Sequence, residues 1–248
     1  MRKIFYTLLT FAALVSCKKD ETLRYNNLTM GNIDGETIVS DQGNIFHITE
    51  TLFSYDLSKF ESGRVMLSCD VLKKTSENNY DVRLTGISGV LIKNVKTMAD
   101  STPEEDLAVN DPVLIRELWY SGGYINMTIE VAFKNESKTH HYINLIREES
   151  SEDGKYTFTL RHNAQGEVPT EEDRNHYTGS IGYVSFPVSE LIKGDKAKIT
   201  FNWKTHKFTG SGYSLVETEE TSKEFNWERG SFEQAPKTLA VRSSVILN

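Results

Sequence analysis

Tyr124-Ile125-Asn126-Met127-Thr128-Ile129-Glu130-Val131-Ala132-Phe133 alternates without a break. Ile125, Met127, Ile129, Val131 and Phe133 share one side, and Tyr124, Asn126, Thr128, Glu130 and Ala132 share the other. That is the period of a strand with one dry and one wet face, and no helix places residues this way. Tyr156, Phe158 and Leu160 repeat the pattern, as do Ala197, Ile199, Phe201 and Trp203, and again Leu239, Val241 and Val245. His140 to Arg147 and Gly179 to Phe186 add two more runs, with turns such as Asp153-Gly154 and Gly194-Asp195 between strands. Strands of this number and length predict an antiparallel β-sandwich over residues 112–248, with Pro187 to Ile192 the one stretch that reads as a turn or two of helix.

Upstream, shorter alternating runs occupy residues 28–97. Tyr80, Val82 and Leu84 oppose Asp81, Arg83 and Thr85, and Val65, Leu67, Cys69 and Val71 share a face. Gly35, Gly43, Gly63, Gly86 and Gly89 punctuate these runs, and Asn78-Asn79 reads as a hairpin turn. Five short strands in about 65 residues suit a small closed barrel of OB type, because closure removes edges that would otherwise pair with other molecules. Residues 98–111 turn polar and acidic, with Asp100, Pro103, Glu104, Glu105 and Asp106, which is linker composition. The fold class is therefore all-β: a small OB-type barrel followed by a sandwich.

Residues 1–16 read as an export leader. Arg2 and Lys3 precede the apolar stretch Ile4 to Val15, long enough for a signal but short of the roughly 20 residues that span a bilayer. The stretch ends Leu14-Val15-Ser16-Cys17, which resembles the bacterial lipobox. Small residues before the cut admit the peptidase, and the Cys17 thiol is the one group there able to carry a diacylglyceryl thioether. The bland alternative for Cys17 is a buried cysteine near an N-terminal helix. With lipid, residues 17–27 become a tether, and several acyl chains at about 0.8 kcal/mol per buried methylene hold the protein firmly to a membrane. Lys18 after the cysteine resembles lipoproteins sent to the outer membrane, and Lys19-Asp20-Glu21 resembles a surface-export signal; periplasmic face and cell surface both remain open.

Hydrophobic residues make up 38% of the 248 and charged residues 25%, enough to bury a core. The net charge of −7 opposes a general nucleic-acid binder, which needs basic surface to displace counterions from phosphates. With Cys17 lipidated, Cys69 has no disulfide partner, and its place in an apolar row makes it a small core residue.

The lipobox, Gly31-Asn32-Ile33-Asp34-Gly35, the Glu117 to Asn126 run, Tyr142-Ile143-Asn144-Leu145 and Leu160-Arg161-His162-Asn163-Ala164 together resemble the NigD-like lipoproteins of Bacteroidetes. The resemblance implies an N-terminal OB-type domain followed by a β-sandwich, and an association by name with a bacteriocin locus. It implies no catalytic residue.

Motifs for chemistry are missing. Gly86-Ile87-Ser88-Gly89 lacks nucleophile-elbow spacing, Gly210-Ser211-Gly212 is a lone glycine pair, and neither H-E-x-x-H nor a phosphate-binding loop occurs. His140 and His141 are adjacent on an expected strand and would point to opposite faces. His162 and His176 bracket Glu171, Glu172 and Asp173, a set able to hold zinc, but His162 continues the apolar face of Tyr156, Phe158 and Leu160 and reads as structural. Glu217, Glu219 and Glu220 read as a solvated edge, and Asp100-Ser101-Thr102 resembles an O-glycosylation acceptor. Trp119 and Trp203 fit core positions. Tyr120 and Tyr124, flanking Ser121-Gly122-Gly123, are the ring faces expected to be exposed and are the candidate ligand-binding residues.

The expectation is a non-enzymatic, lipid-anchored outer-membrane binding module without cofactor or metal. Its partner would be an outer-membrane protein or, alternatively, a glycan of a polysaccharide-uptake system. Elemental analysis of chelator-free protein should find no stoichiometric zinc or calcium; one bound ion per chain would overturn this.

Overall fold

Strands β1 (Arg24–Asp34), β2 (Thr37–Ser40), β3 (Ile45–Thr51), β4 (Arg64–Ser76) and β5 (Asn79–Gly89) close into a barrel in the order β1-β2-β3-β5-β4. The computed structural model describes residues 24–60, 63–150, 152–170, 172, 176–208 and 215–230. Cys17, the leader, the Gly210 to Gly212 pair and the expected strand at Leu239 to Val245 lie outside the described residues. Closure comes from parallel pairing of β3 with β5 and antiparallel pairing of β1 with β4, the OB-type arrangement. The β4–β5 turn falls at Glu77-Asn78, where Asn78 takes φ 58°, a left-handed conformation that asparagine tolerates well. Ile33, Ile38, Phe46, Ile48, Leu67, Cys69, Val71, Val82 and Leu84 fill the barrel. The Cys69 thiol is pushed up to about 12, by burial first and by Asp70 second, so it packs as a small hydrophobe.

Eight further strands form two four-stranded sheets. One has the order β13-β12-β10-β9, from β9 (Tyr142–Arg147), β10 (Lys155–Asn163), β12 (Lys196–Phe208) and β13 (Leu215–Glu228). The other has the order β6-β11-β8-β7, from β6 (Leu91–Ile92), β7 (Leu114–Ser121), β8 (Tyr124–Lys134) and β11 (Tyr177–Pro187). Most pairs are antiparallel, but β10 runs parallel to β12 and β6 parallel to β11. Their facing sides bury Ile125, Met127, Ile129 and Val131 against Ile143, Leu145, Phe158, Leu160, Ile199 and Phe201. The helical stretch expected at Pro187 to Ile192 is a single 3₁₀ turn, Ser189–Leu191.

Two expected boundaries move. Tether composition was expected through Asn27, but β1 begins at Arg24 and already pairs with Asp70. Leu91 and Ile92, expected in the barrel, pair with Val184 and Ser185 of the sandwich. The acidic 98–111 stretch joins the domains yet is strapped down. Lys96 extends the β9 edge through backbone bonds with Leu145 and Arg147, Glu105 holds Lys93 and Lys96, and Leu107 is fully buried. Burial alone would push the Glu105 carboxyl up, but hydrogen bonds from the two lysines and Asn144 outweigh it and bring it down to about 2.

The expected wet face of β8 is dry. Asn126, Thr128 and Glu130 are 0%, 3% and 8% exposed, because the barrel covers the part of this face around Asn126. Met30, Met66 and Val90 from the barrel side pack against Trp119 of β7 and Tyr183 of β11. Alternation in β4 explains the supply: Val65 and Leu67 point into the barrel while Arg64 and Met66 face the sandwich. Beside this apolar cluster Arg64, 2% exposed, donates Nη1–H to Asp41 at 2.9 Å, Nη2–H to Asn126 Oδ1 at 3.0 Å and Nε–H to Ser185 Oγ at 3.0 Å. Nη2 also meets the second Asp41 oxygen, so the pair is bidentate.

Arg64→Met leaves the buried Asp41 carboxylate without its cation, and urea denaturation should show a loss of about 3–5 kcal/mol. The double variant Arg64→Met/Asp41→Leu should recover much of that loss. An unchanged midpoint for the single variant would mean that the seam is not load-sharing.

Candidate functional site

The β7–β8 hairpin meets the barrel at Asp41. Its turn is Gly122-Gly123, with φ 60° and 89°. The first glycine is required twice over: its φ is left-handed, and a Cβ there would lie 2.3 Å from Asp41 Oδ1. Ser121 donates its hydroxyl to Asp41, and Asn126 donates to Ser121 Oγ at 3.0 Å, so the turn is tied to the barrel through the carboxylate that holds Arg64. At the other end Gly123 O accepts the N–H groups of Val188 and Ser189.

Tyr120 and Tyr124 part company here. Tyr120 is 6% exposed, its ring set edge-on to Trp227 at 6.2 Å, and burial raises its hydroxyl pKa. It offers no ring face to solvent, correcting the expectation from sequence. Tyr124 is half-buried, with the Arg64 guanidinium 4.1 Å above its ring. Trp119 is buried at the seam and Trp203 packs against the sandwich core. A cavity of about 400 Å³ opens beside the turn, lined by Tyr124, Pro187, Ser189, Glu190, Leu191 and Asn94 among others.

A second buried polar group was not legible as a pair in the sequence. His162 Nδ1 lies 3.0 Å from Pro112 O, and a carbonyl can only accept, so this nitrogen carries the proton. His162 Nε2 is then bare and accepts from His141 Nδ1–H at 3.1 Å. That leaves His141 Nε2 without a proton, 3.5 Å from Glu167 Oε2. Burial lowers the His141 pKa, with Glu167 and then Asp111 pulling it up less strongly. Burial raises the Glu167 pKa, but donors from Ser137, Thr139 and the Lys134 N–H outweigh this and lower it. His141 also stacks on Phe133, centroids 4.2 Å apart, while His140 and His176 are exposed. The missed signal was register: Ile143 pairs with His162, so His141 is its diagonal neighbour on the same face. Among the described residues no group of three or more His, Cys, Asp or Glu side chains is placed to hold a metal; Glu171 and Asp173 lie outside them.

Residues 94–216 match the model of the NigD-like C-terminal beta sandwich domain. Among solved structures, a protein of unknown function from Bacteroides vulgatus is similar over 86% of this chain and 96% of its own, at 18% identity and TM-score 0.63. A NigD-like immunity protein from Bacteroides caccae is similar over 82% and 96%, at 18% identity and TM-score 0.60. A predicted lipoprotein from Bacteroides fragilis is similar over 81% and 97%, at 14% identity and TM-score 0.56. At these identities the likeness establishes the shared two-part fold. Among curated proteins no sequence relative matches the chain.

The His141 geometry has a sign. An unfolded histidine takes a proton near pH 6.5 while the buried one resists, so stability is full above that pH and falls as pH drops below it. His141→Gln keeps an amide donor for His162 but cannot titrate. Its thermal midpoint should fall less than the parent's between pH 7 and pH 5; equal slopes would dismiss the assignment.

Proposed function

Because residues 94–216 are a NigD-like C-terminal β-sandwich domain, we propose that the chain is a lipid-anchored, non-enzymatic interaction protein of the Bacteroidetes outer membrane. The observation that carries this reading is the seam: Arg64, Asp41, Asn126, Ser121 and Ser185 hydrogen-bond one another across the two β-domains, and we read the joined domains as one rigid body. A rigid body presents a preformed surface, and binding then costs little ordering entropy. Two sets of buried titratable groups support the same view. Cys69 is a core residue held protonated, and the His141–His162 pair ends on a backbone carbonyl.

The lipobox at Cys17 supports the anchor. Six residues separate Cys17 from the first barrel strand, so a fully extended tether reaches at most about 25 Å and keeps the barrel next to the headgroups. Confinement raises the local concentration of a partner in the same membrane without any new contact. The immunity-protein name of one fold neighbour favours a protein partner, such as a toxin-related or export component.

In cells grown with labelled palmitate, the parent should carry label and fractionate with outer membrane. Cys17→Ala should be unlabelled and keep its leader. Label and outer-membrane fractionation retained by Cys17→Ala would refute the anchor, and an outer-membrane crosslinking profile without any adduct would refute the protein-partner reading.

A further inference from the structure

Beside the β7–β8 turn the fold leaves a cavity of about 400 Å³, within the range of small-ligand sites. Its walls are tied into the fold. Gly122 is pressed against Asp41, Gly123 O holds Val188 and Ser189, and Tyr124 is clamped under Arg64. The buried guanidinium covers one face of Tyr124, so the ring surface left to the cavity is its other face or its edge. Pro187 and Leu191 add apolar surface, and Asn94, Ser189 and Glu190 add an amide, a hydroxyl and a carboxylate. An aromatic ring beside apolar wall, with amide, hydroxyl and carboxylate groups at the rim, recognises a molecule with apolar C–H faces and a belt of hydroxyls.

Charge narrows the class. Among the described residues no Lys or Arg lines the cavity and Glu190 adds a carboxylate, which opposes phosphate, sulfate or carboxylate ligands. A cation over Tyr124 would face the Arg64 positive charge through the ring, 4.1 Å on the other side. An exposed carboxylate such as Glu190 offers a cation only weak attraction in water. We infer that the cavity at Tyr124, Asn94 and Glu190 is a binding site for a neutral sugar ring. The inference rests on the reading of the chain as a binding module and names a ligand class for it; it does not depend on the lipid.

The experiment is saturation-transfer NMR on the full-length protein in a polyoxyethylene detergent, which has no sugar headgroup. The probes are the methyl glycosides of glucose, galactose, mannose and N-acetylglucosamine, with methyl phosphate and tetramethylammonium as charged counterparts. At least one glycoside should receive saturation on its ring C–H protons. Asn94 and Glu190 are exposed, so Asn94→Ala and Glu190→Ala should fold as the parent does while weakening the response about fivefold or more. Phe53→Ala, an exposed aromatic elsewhere on the barrel, should leave it unchanged. No transfer to any glycoside, an equal response in both cavity variants, or transfer to a charged probe alone would each overturn the assignment. Repeating the measurement on Cys17→Ala should give the same signal, so failure of the anchor and failure of the sugar site are read separately.

Discussion

The buried cation Arg64 fixes how barrel and sandwich meet. Its N–H donors would be costly to bury unmatched, and four hydrogen bonds meet them from both domains: two to Asp41 of the barrel, and one each to Asn126 and Ser185 of the sandwich. Neither domain alone could satisfy it. The apolar cluster of Met30, Met66, Val90, Trp119 and Tyr183 supplies the attraction across the seam, and a buried side chain of this kind contributes about 1.5–3 kcal/mol. The ionic network contributes specificity, since sliding the domains would strand a charge.

The consequence reaches the candidate site. Asp41 holds Ser121 as well as Arg64, and Arg64 holds Tyr124, so the hairpin turn that borders the cavity is set by barrel residues more than 80 positions upstream in the case of Asp41. The candidate site is thus a property of the joined domains. The histidine pair plays a comparable part at the sandwich's other polar seam, where it ties the segment before β9 to β10 and to Pro112. In both places buried polar side chains pair with one another inside the fold.

Much of this was legible in the residues. Period-two alternation identified β8, β10 and β12, apolar rows in β4 marked the barrel interior, and Asn78 marked its hairpin turn. The site was read less well. Tyr120 and Tyr124 bracket the same turn, yet one ring is enclosed and the other half open, because Tyr120 faces the opposing sheet's Trp227 and Tyr124 faces the barrel's Arg64. His141 was read against His140, its neighbour in sequence, when its partner across the sheet was His162.

By itself the sequence determined which residues lie on the same side of each strand, because that depends only on backbone geometry. The apolar run before Cys17 and the acidic balance are likewise properties of composition and order. Only the tertiary structure decided what covers each side. Asn126 looks like a solvent residue by polarity, and it is buried because an arginine 62 positions away donates to it. Polarity along a chain reports how costly burial would be without a partner; the fold alone brings the partner.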